Sequence, residues 1–136
     1  MRLEGKIAIV TGGANGIGKE ISLRFANEGA RVIAADMQEL SFTHENVVGK
    51  ILNVTDSEAC KSFFDGIIEE YGQIDILVNN AGITRDSMTR KMSDDQWNLV
   101  MDVNLKGVFN LVRFIGPQME NIGGGSIINI SSVVGE

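Results

Sequence analysis

The sequence has little of several residue types that mark whole classes of protein. Its single cysteine, Cys60, cannot form an internal disulfide, so a disulfide-stapled secreted fold is excluded and a reducing compartment is expected. No apolar run approaches the ~20 residues of a membrane helix, and the N-terminal apolar run is too short for a signal peptide. These absences predict a cytoplasmic protein that does not cross a membrane. Cys60 itself falls on an apolar helix face, which predicts a small buried hydrophobe.

The negative charge balance argues against nucleic acid and anionic membrane surfaces as partners, because both need a basic face. The formal net charge of −6 is spread along the chain, and a basic face for nucleic acid or an anionic membrane surface is missing. The composition is that of an ordinary globular protein, with 43% hydrophobic and 22% charged residues. A chain of 136 residues is long enough for one domain with a real core. Sixteen glycines indicate sharp turns or close approaches to a ligand.

Short β-branched runs alternate with helical patterns along the chain. Strands are predicted at 6–11, 31–36, 47–54, 74–80 and 126–131, and helices at 16–27, from 55 to 72 and at 94–119. This alternation predicts an α/β fold with a parallel sheet and helices on both of its faces. The ten residues between Asp36 and Val47 are fewer than a crossover with a full helix normally needs, so we expect one helical turn or a loop there.

Some details of the helices can also be predicted. In the first helix, Ile17, Ile21 and Phe25 lie on one face. Capping-box pairs predict the starts of the other two, Thr55 with Glu58 and Ser93 with Gln96. The helix 94–119 has one apolar stripe, formed by Trp97, Met101, Leu105, Val108, Val112 and Ile115, and Val100 and Leu111 widen its apolar surface. Such a stripe fits either an ordinary buried helix or a helix-to-helix dimer contact.

The strongest local signal is "VTGGANGIGKE" (10–20), which follows a strand and opens a helix. Gly12, Gly16 and Gly18 allow a sharp turn and a close approach of a diphosphate to the helix N-terminus. The run from Gly13 to Lys19 also fits the G-x-x-x-x-G-K loop of NTPases. There Glu20 replaces the Ser/Thr that would hold Mg²⁺, so that interpretation is disfavoured and no metal site is predicted.

The second strand closes on Asp36, about twenty residues after the glycine loop. A carboxylate at this position accepts hydrogen bonds from an adenosine ribose and repels a 2′-phosphate. Residue 15, inside the loop, is Asn, so no basic side chain waits there for such a phosphate. Both features predict a preference for NAD(H) over NADP(H).

Four motifs together resemble one known family. "TGGANGIG" matches the T-G-x-x-x-G-x-G loop of short-chain dehydrogenases/reductases, and "NNAG" (79–82) matches their second signature. Asn104 falls where the family has its active-site Asn, and "INISSVVG" (128–135) matches its serine strand. The phrases "NNAGITRD", "VNLKGVFN" and "SIINISSVVG" look most similar to 3-oxoacyl-(acyl-carrier-protein) reductases of fatty acid biosynthesis.

The resemblance implies a doubly wound, Rossmann-like sheet of order 3-2-1-4-5 that is truncated after its fifth strand. Residues 1–136 would then form a dinucleotide-binding domain that is incomplete at its C-terminus, with the strand 126–131 at a flat apolar edge. It also implies a set of cofactor-binding residues, namely Gly12, Asn15, Gly16, Ile17 (through its backbone), Gly18, Asp36, Asn53, Val54, Asn80, Ala81, Gly82 and Val103. The family usually has Asp where this chain has Asn53, whose carbonyl is expected to accept from the adenine amino group.

The same resemblance assigns the chemistry. Hydride transfer between nicotinamide and a ketone or secondary alcohol needs a proton donor, which in the family is a Tyr with a Lys four residues later. Ser132 would orient the carbonyl, and Asn104 would anchor a water leading to the Lys. Without the resemblance, Asn104 is an unusual polar residue in mid-helix, and a structural role in bending the helix stays open as an alternative. The sole tyrosine, Tyr71, has no Lys four residues on, and His44 is expected to be a solvated surface residue. The chain alone is therefore expected to be inactive.

The expected function is that of an NAD(H)-dependent oxidoreductase, most similar to a 3-oxoacyl-(acyl-carrier-protein) reductase. Its partners would be the dinucleotide, a small-molecule or acyl-carrier-linked substrate, and further copies of the chain in a dimer or tetramer through the helix 94–119. Two alternatives stay open: another short-chain alcohol or sugar dehydrogenase, and a non-catalytic nucleotide-binding fragment.

Overall fold

The structure is a computed structural model that describes residues 2–80 and 93–130, with backbone alone at 100, 102 and 103. Its elements, in chain order, are β1 (Ile7–Thr11), α1 (Gly16–Asn27), β2 (Arg31–Asp36), β3 (Val47–Ile51), α2 (Ser57–Tyr71), β4 (Ile76–Asn79), α3 (Asp94–Met101), a π-helical segment (Asp102–Lys106), α4 (Gly107–Ile122) and β5 (Ser126–Asn129). The predicted bounds of α1 and β2 are confirmed. The third and fourth strands are shorter than predicted.

The five strands form one parallel sheet in the order β3-β2-β1-β4-β5, which confirms the predicted fold class and strand order. β1 lies in the middle, with Ile9 opposite Ile33 of β2 and Leu77 of β4. All strands run the same way, so their carboxyl ends meet at one edge of the sheet. In doubly wound sheets ligands bind at this edge.

Two apolar layers cover the sheet. One lies under α2 and α4 and contains Ile9, Ile33 and Leu77, while the other lies under α1 and contains Val10 and Val32. Neighbouring residues of one strand thus enter opposite layers, as expected for strands buried on both faces. Where the structure describes the chain, no helix has both the length and the apolar character to cross a membrane.

The inner face of α1 differs from the prediction. Ile17 is 65% exposed, whereas Gly18, Ser22 and Ala26 are buried. These three residues are small and spaced four apart, so they lie on one face and let the helix approach the sheet closely. Ile21 and Phe25 pack beside that face, so the predicted apolar triplet is wrong at Ile17.

One of the two capping predictions is confirmed and the other is wrong. Ser93 and Gln96 form the expected reciprocal pair, with N–H to side-chain distances of 2.9 and 3.1 Å. At α2 the cap is Asp56, whose carboxylate accepts from the backbone N–H of Ala59. The Thr55 prediction is wrong because its hydroxyl donates to Asn53 Oδ1 at 2.7 Å.

The predicted single helix 94–119 is divided into α3, the π-helical segment and α4. A π turn holds more residues than an α turn, so it shifts the phase of every side chain that follows. Of the predicted stripe, Trp97 in α3 and Leu105 in the π-helical segment are 49% and 60% exposed, while Ile115 in α4 is buried.

The connection between β2 and β3 contains no helix, as predicted from its length. At the opposite end of the sheet, β5 pairs only on its β4 side among the described residues, and all four of its residues are exposed. This strand is the apolar edge that the sequence predicts.

Candidate functional site

The glycine loop lies at the carboxyl edge of the sheet, between β1 and α1. Gly12 and Gly16 have φ angles of +64° and +58°, which side chains rarely adopt. The N–H of Gly12 donates to the carbonyl oxygen of Ala35 at 2.7 Å, which ties the loop to the end of β2. The loop is thus held in a conformation that depends on glycine.

Gly18 brings α1 against the ends of two strands. A Cβ at this position would overlap the carbonyl oxygen of Gly12 and lie 2.6 Å from Nδ2 of Asn80. Asn80 follows β4, and its Nδ2 donates to the Gly12 carbonyl at 3.2 Å, while its backbone N–H donates to Thr11 Oγ1 at 2.9 Å. The structure therefore brings together Gly12, Gly18 and Asn80.

The N-terminus of α1 is open towards this loop. Asn15 is the residue before the helix, but its side chain makes no capping bond and instead donates to Gln38 Oε1 at 2.9 Å. No acidic residue stands in the first turn. Free N–H groups and the positive end of the helix dipole favour an anionic group such as a diphosphate here.

Asp36 closes the site on the β2 side. Its Oδ2 accepts from the N–H of Ala14 and its Oδ1 from the N–H of Gln38, both at 3.1 Å. Each carboxylate oxygen can accept a second hydrogen bond, so the group can still receive ribose hydroxyls. The negative charge within the glycine loop opposes a second phosphate at the same place.

Asn53 and Val54 follow β3, next to Asp36, because the N–H of Leu52 donates to the carbonyl oxygen of Asp36 at 2.8 Å. The side chain of Asn53 is exposed, and its Oδ1 accepts from the N–H and the hydroxyl of Thr55 at 3.0 and 2.7 Å. An adenine amino group would share that oxygen with Thr55, so the contact expected for Asn53 stays a prediction. Val54 is buried.

The catalytic half of the site is described only in part. Asn104 is half-buried in the π-helical segment, and Val103 lies beside it with its backbone alone described. Such segments often occur at functional sites. Ala81, Gly82 and Ser132 lie outside the described residues. Their assigned roles stay predictions.

The other reactive side chains have structural surroundings. Burial raises the pKa of the Tyr71 phenol, which opposes a role as proton donor at neutral pH. Burial also raises the pKa of the Cys60 thiol to about 11, as expected for a buried hydrophobe. His44 is half-buried instead of solvated, because Nδ1 accepts from the N–H of Asn46 and Nε2 lies 3.0 Å from Asn27 Oδ1.

Comparison with known proteins identifies the family. Residues 6–136 match the model of the family described as short chain dehydrogenase. The chain belongs to the short-chain dehydrogenase/reductase family. Members of this family are oxidoreductases that use a nicotinamide cofactor, and the glycine loop, the open helix N-terminus and Asp36 fit such a cofactor.

Curated relatives show which individual proteins of the family the chain is similar to. The chain is 47% identical to a 3-oxoacyl-(acyl-carrier-protein) reductase of Thermotoga maritima, over 99% of this chain and 58% of the relative. It is 43% identical to the enzyme of that name from Escherichia coli K12, with the same coverage. A crystal structure of a Burkholderia xenovorans protein described as a short-chain dehydrogenase/reductase superposes with a TM-score of 0.90 at 34% identity, over 96% of this chain and 57% of the other. The chain thus spans somewhat more than half the length of these short-chain dehydrogenase/reductase relatives.

Three residues of the site region were not found by sequence reasoning. Thr11 links β1 to β4 through its hydroxyl, Gln38 holds the side chain of Asn15, and Asn110 is a buried amide on α4. Only Asn110 carries a recognisable signal, since it is a polar residue inside the apolar run "VFNLV". The other two act through contacts that depend on the fold.

Proposed function

We propose that this chain forms the cofactor-binding part of an NAD(H)-dependent 3-oxoacyl-(acyl-carrier-protein) reductase of the cytoplasm. The observation that carries the cofactor preference is the Asp36 carboxylate at the end of β2, which accepts from the N–H of Ala14 in the glycine loop, where residue 15 is Asn instead of a basic residue. The similarity to reductases of this name supports the substrate class.

Each residue has a distinct part in this proposal. The N-terminus of α1 and the glycine loop bind the diphosphate, Asp36 accepts from the adenosine ribose, and Asn80 holds the loop through the Gly12 carbonyl. The bound cofactor supplies the hydride. Ser132 orients the substrate carbonyl, and Asn104 holds a water on the path of the proton.

Direct titration tests the cofactor preference. We expect NADH to bind the purified chain at least tenfold more tightly than NADPH in calorimetry, because a 2′-phosphate would face the Asp36 carboxylate. Equal affinities, or tighter binding of NADPH, would overturn the NAD(H) assignment. Absence of binding of both by the folded chain would favour a non-catalytic, structural role.

The catalytic proposal needs two assays. The chain has no Tyr-x-x-x-Lys pair, so we expect no oxidation of NADH with an acetoacetyl-acyl-carrier substrate at 340 nm. A chimera that continues residue 136 with the remaining part of the Thermotoga maritima reductase is expected to gain this activity. It should lose about 100-fold or more on Ser132→Ala. An active chimera that prefers simple alcohols or sugars would favour the other dehydrogenase alternative.

We also propose self-association through α3 and α4. Trp97, Leu99, Leu105 and Phe109 are each at least 42% exposed on these helices, although they are large and apolar. We expect sedimentation to show a dimer or tetramer that Leu105→Glu with Phe109→Glu converts to monomer. A chain that is monomeric at every concentration would contradict this proposal.

A further inference from the structure

Asn110 is a buried amide in the middle of α4. It is 1% exposed, and both ends of its side chain are used: Nδ2 donates to the carbonyl oxygen of Val54 at 2.9 Å, and Oδ1 accepts from the Ser57 hydroxyl at 3.1 Å. The Val54 carbonyl can only accept, so the orientation of the amide is fixed. A leucine would fill a similar volume without these bonds, so packing alone does not explain an amide here.

The segment that Asn110 contacts is the one between β3 and α2, residues 53–57. Its own bonds are local, from Thr55 and Asp56 back to Asn53. The bond from Asn110 joins it to a helix more than fifty residues away in sequence. Leu52, just before the segment, is bonded to Asp36, so the segment is continuous with the ribose side of the proposed cofactor site.

The same helix leads directly to the candidate catalytic residue. Gly107 begins α4 one turn before Asn110 and follows the π-helical segment that carries Asn104. A Cβ at residue 107 would lie 2.6 Å from Cγ2 of Val54, so the helix backbone is in close contact with that side chain. Gly107 and Asn110 thus contact Val54 from adjacent turns.

We propose that Asn110 is a positioning residue that fixes segment 53–57, and with it the adenine side of the cofactor site, against the helix that carries Asn104. The part that concerns the cofactor rests on the proposed function. The part that concerns the segment does not, because it can be measured without a ligand.

Two variants and one matched control separate positioning from general stability. Asn110→Leu keeps the volume and removes both bonds. Asn110→Ser is a milder change, since a serine hydroxyl can bond to its own helix but cannot reach Val54. Leu111→Ala is the control, because this neighbouring side chain is fully buried in the core and is not bonded to the segment.

The experiment combines hydrogen exchange with calorimetry of ADP-ribose. Both Asn110 variants are expected to raise exchange at the amides of 54–57 and to weaken ADP-ribose at least tenfold, whereas Leu111→Ala should lower Tm with a Kd within about twofold of the original. The proposal is overturned if the Asn110 variants leave the exchange of 54–57 unchanged, or if Leu111→Ala changes exchange and Kd as they do.

If Asn110→Leu does not fold, Asn110→Ser decides the question. If the unmodified chain does not bind ADP-ribose, the proposed function fails. Hydrogen exchange at 54–57 then still decides whether Asn110 positions the segment.

Discussion

The glycine loop, which follows the central strand β1, and the edge strand β5 differ in how the described residues surround them. At the loop, Gly12, Gly18 and Asn80 are joined by close contacts, and Asp36 is bonded to the loop backbone. At β5, every residue is exposed, although Ile127 and Ile128 are as apolar as the buried residues of β1. The residues proposed to bind the adenosine half of the cofactor lie within residues 2–80, whereas Ser132, proposed to orient the carbonyl, lies outside the described residues.

The difference shows that apolar character does not decide burial within a sheet. β1 is covered because it has a neighbour on each side and a helix on each face, whereas β5 has β4 on one side only among the described residues. We therefore expect residues 2–80 to form the adenosine half of the cofactor site.

The largest expected effect is on the free energy of unfolding, and it is measured by replacing one isoleucine in β1 and one in β5. Ile9→Ala in β1 should lower the free energy of unfolding by about 3–4 kcal/mol, because it leaves a cavity in a closed core. Ile128→Ala in β5, where the side chain is 41% exposed, should cost less than about 1 kcal/mol. Urea unfolding measures both, and equal losses would contradict the contrast.

Gly18→Ala tests the closeness of α1 to the strand ends. The added Cβ would overlap the Gly12 carbonyl, so the loop must move, and ADP-ribose binding should fall by about 100-fold or more. Gly66→Ala is the control: this glycine is inside α2 with no atom within 4 Å of its Cβ position, and alanine should stabilise by about 0.5–1 kcal/mol. A Gly18→Ala chain that binds as before would refute the assigned contact.

The pH dependence of stability tests the burial of Cys60 in the core. Burial raises its pKa from 9.0 to about 11, so the folded thiol stays protonated where the unfolded one ionises. Its contribution is complete below pH 9 and is lost as pH rises towards 11, by about 2–3 kcal/mol. The free energy of unfolding in urea should therefore fall more steeply between pH 8 and 11 for the original chain than for Cys60→Ala. Parallel curves of this free energy against pH would contradict the burial of the thiol.

The smallest effect concerns the cofactor preference. Asp36→Asn should weaken NADH by about tenfold and reduce discrimination against NADPH, since it removes the charge that repels a 2′-phosphate. Glu39→Gln removes an equal charge from an exposed position three residues later, in the β2–β3 connection, and should change neither affinity. If both variants behave alike in calorimetry, net charge and not Asp36 sets the preference.

Much of the adenosine side could be predicted from sequence because it depends on local signals. Strand, glycine loop and helix follow each other directly, and α1 and β2 have the predicted bounds. The position of Asp36 at the end of β2 followed from the same spacing. The strand order required the family resemblance in addition to the alternation of elements.

The remaining features depend on contacts that the sequence does not display. Asp56 and Thr55 are both good caps, and the choice between them was decided by the bond from Thr55 to Asn53. The π-helical segment, which contains the exposed Leu105, also shifts the phase of α4 relative to α3, and the sequence pattern did not indicate it. The predicted apolar face of α1 included Ile17, which is exposed because the small residues Gly18, Ser22 and Ala26 form the face that approaches the sheet.

The affinity of the chain for ADP-ribose tests most directly whether residues 2–80 form the adenosine half of the cofactor site. ADP-ribose has the adenosine, the ribose and the diphosphate of the cofactor but no nicotinamide. We expect calorimetry of the folded chain to give a Kd for ADP-ribose within about fivefold of that for NADH, because the glycine loop and Asp36 are proposed to bind the diphosphate and the adenosine ribose. Binding of NADH without measurable binding of ADP-ribose would contradict it.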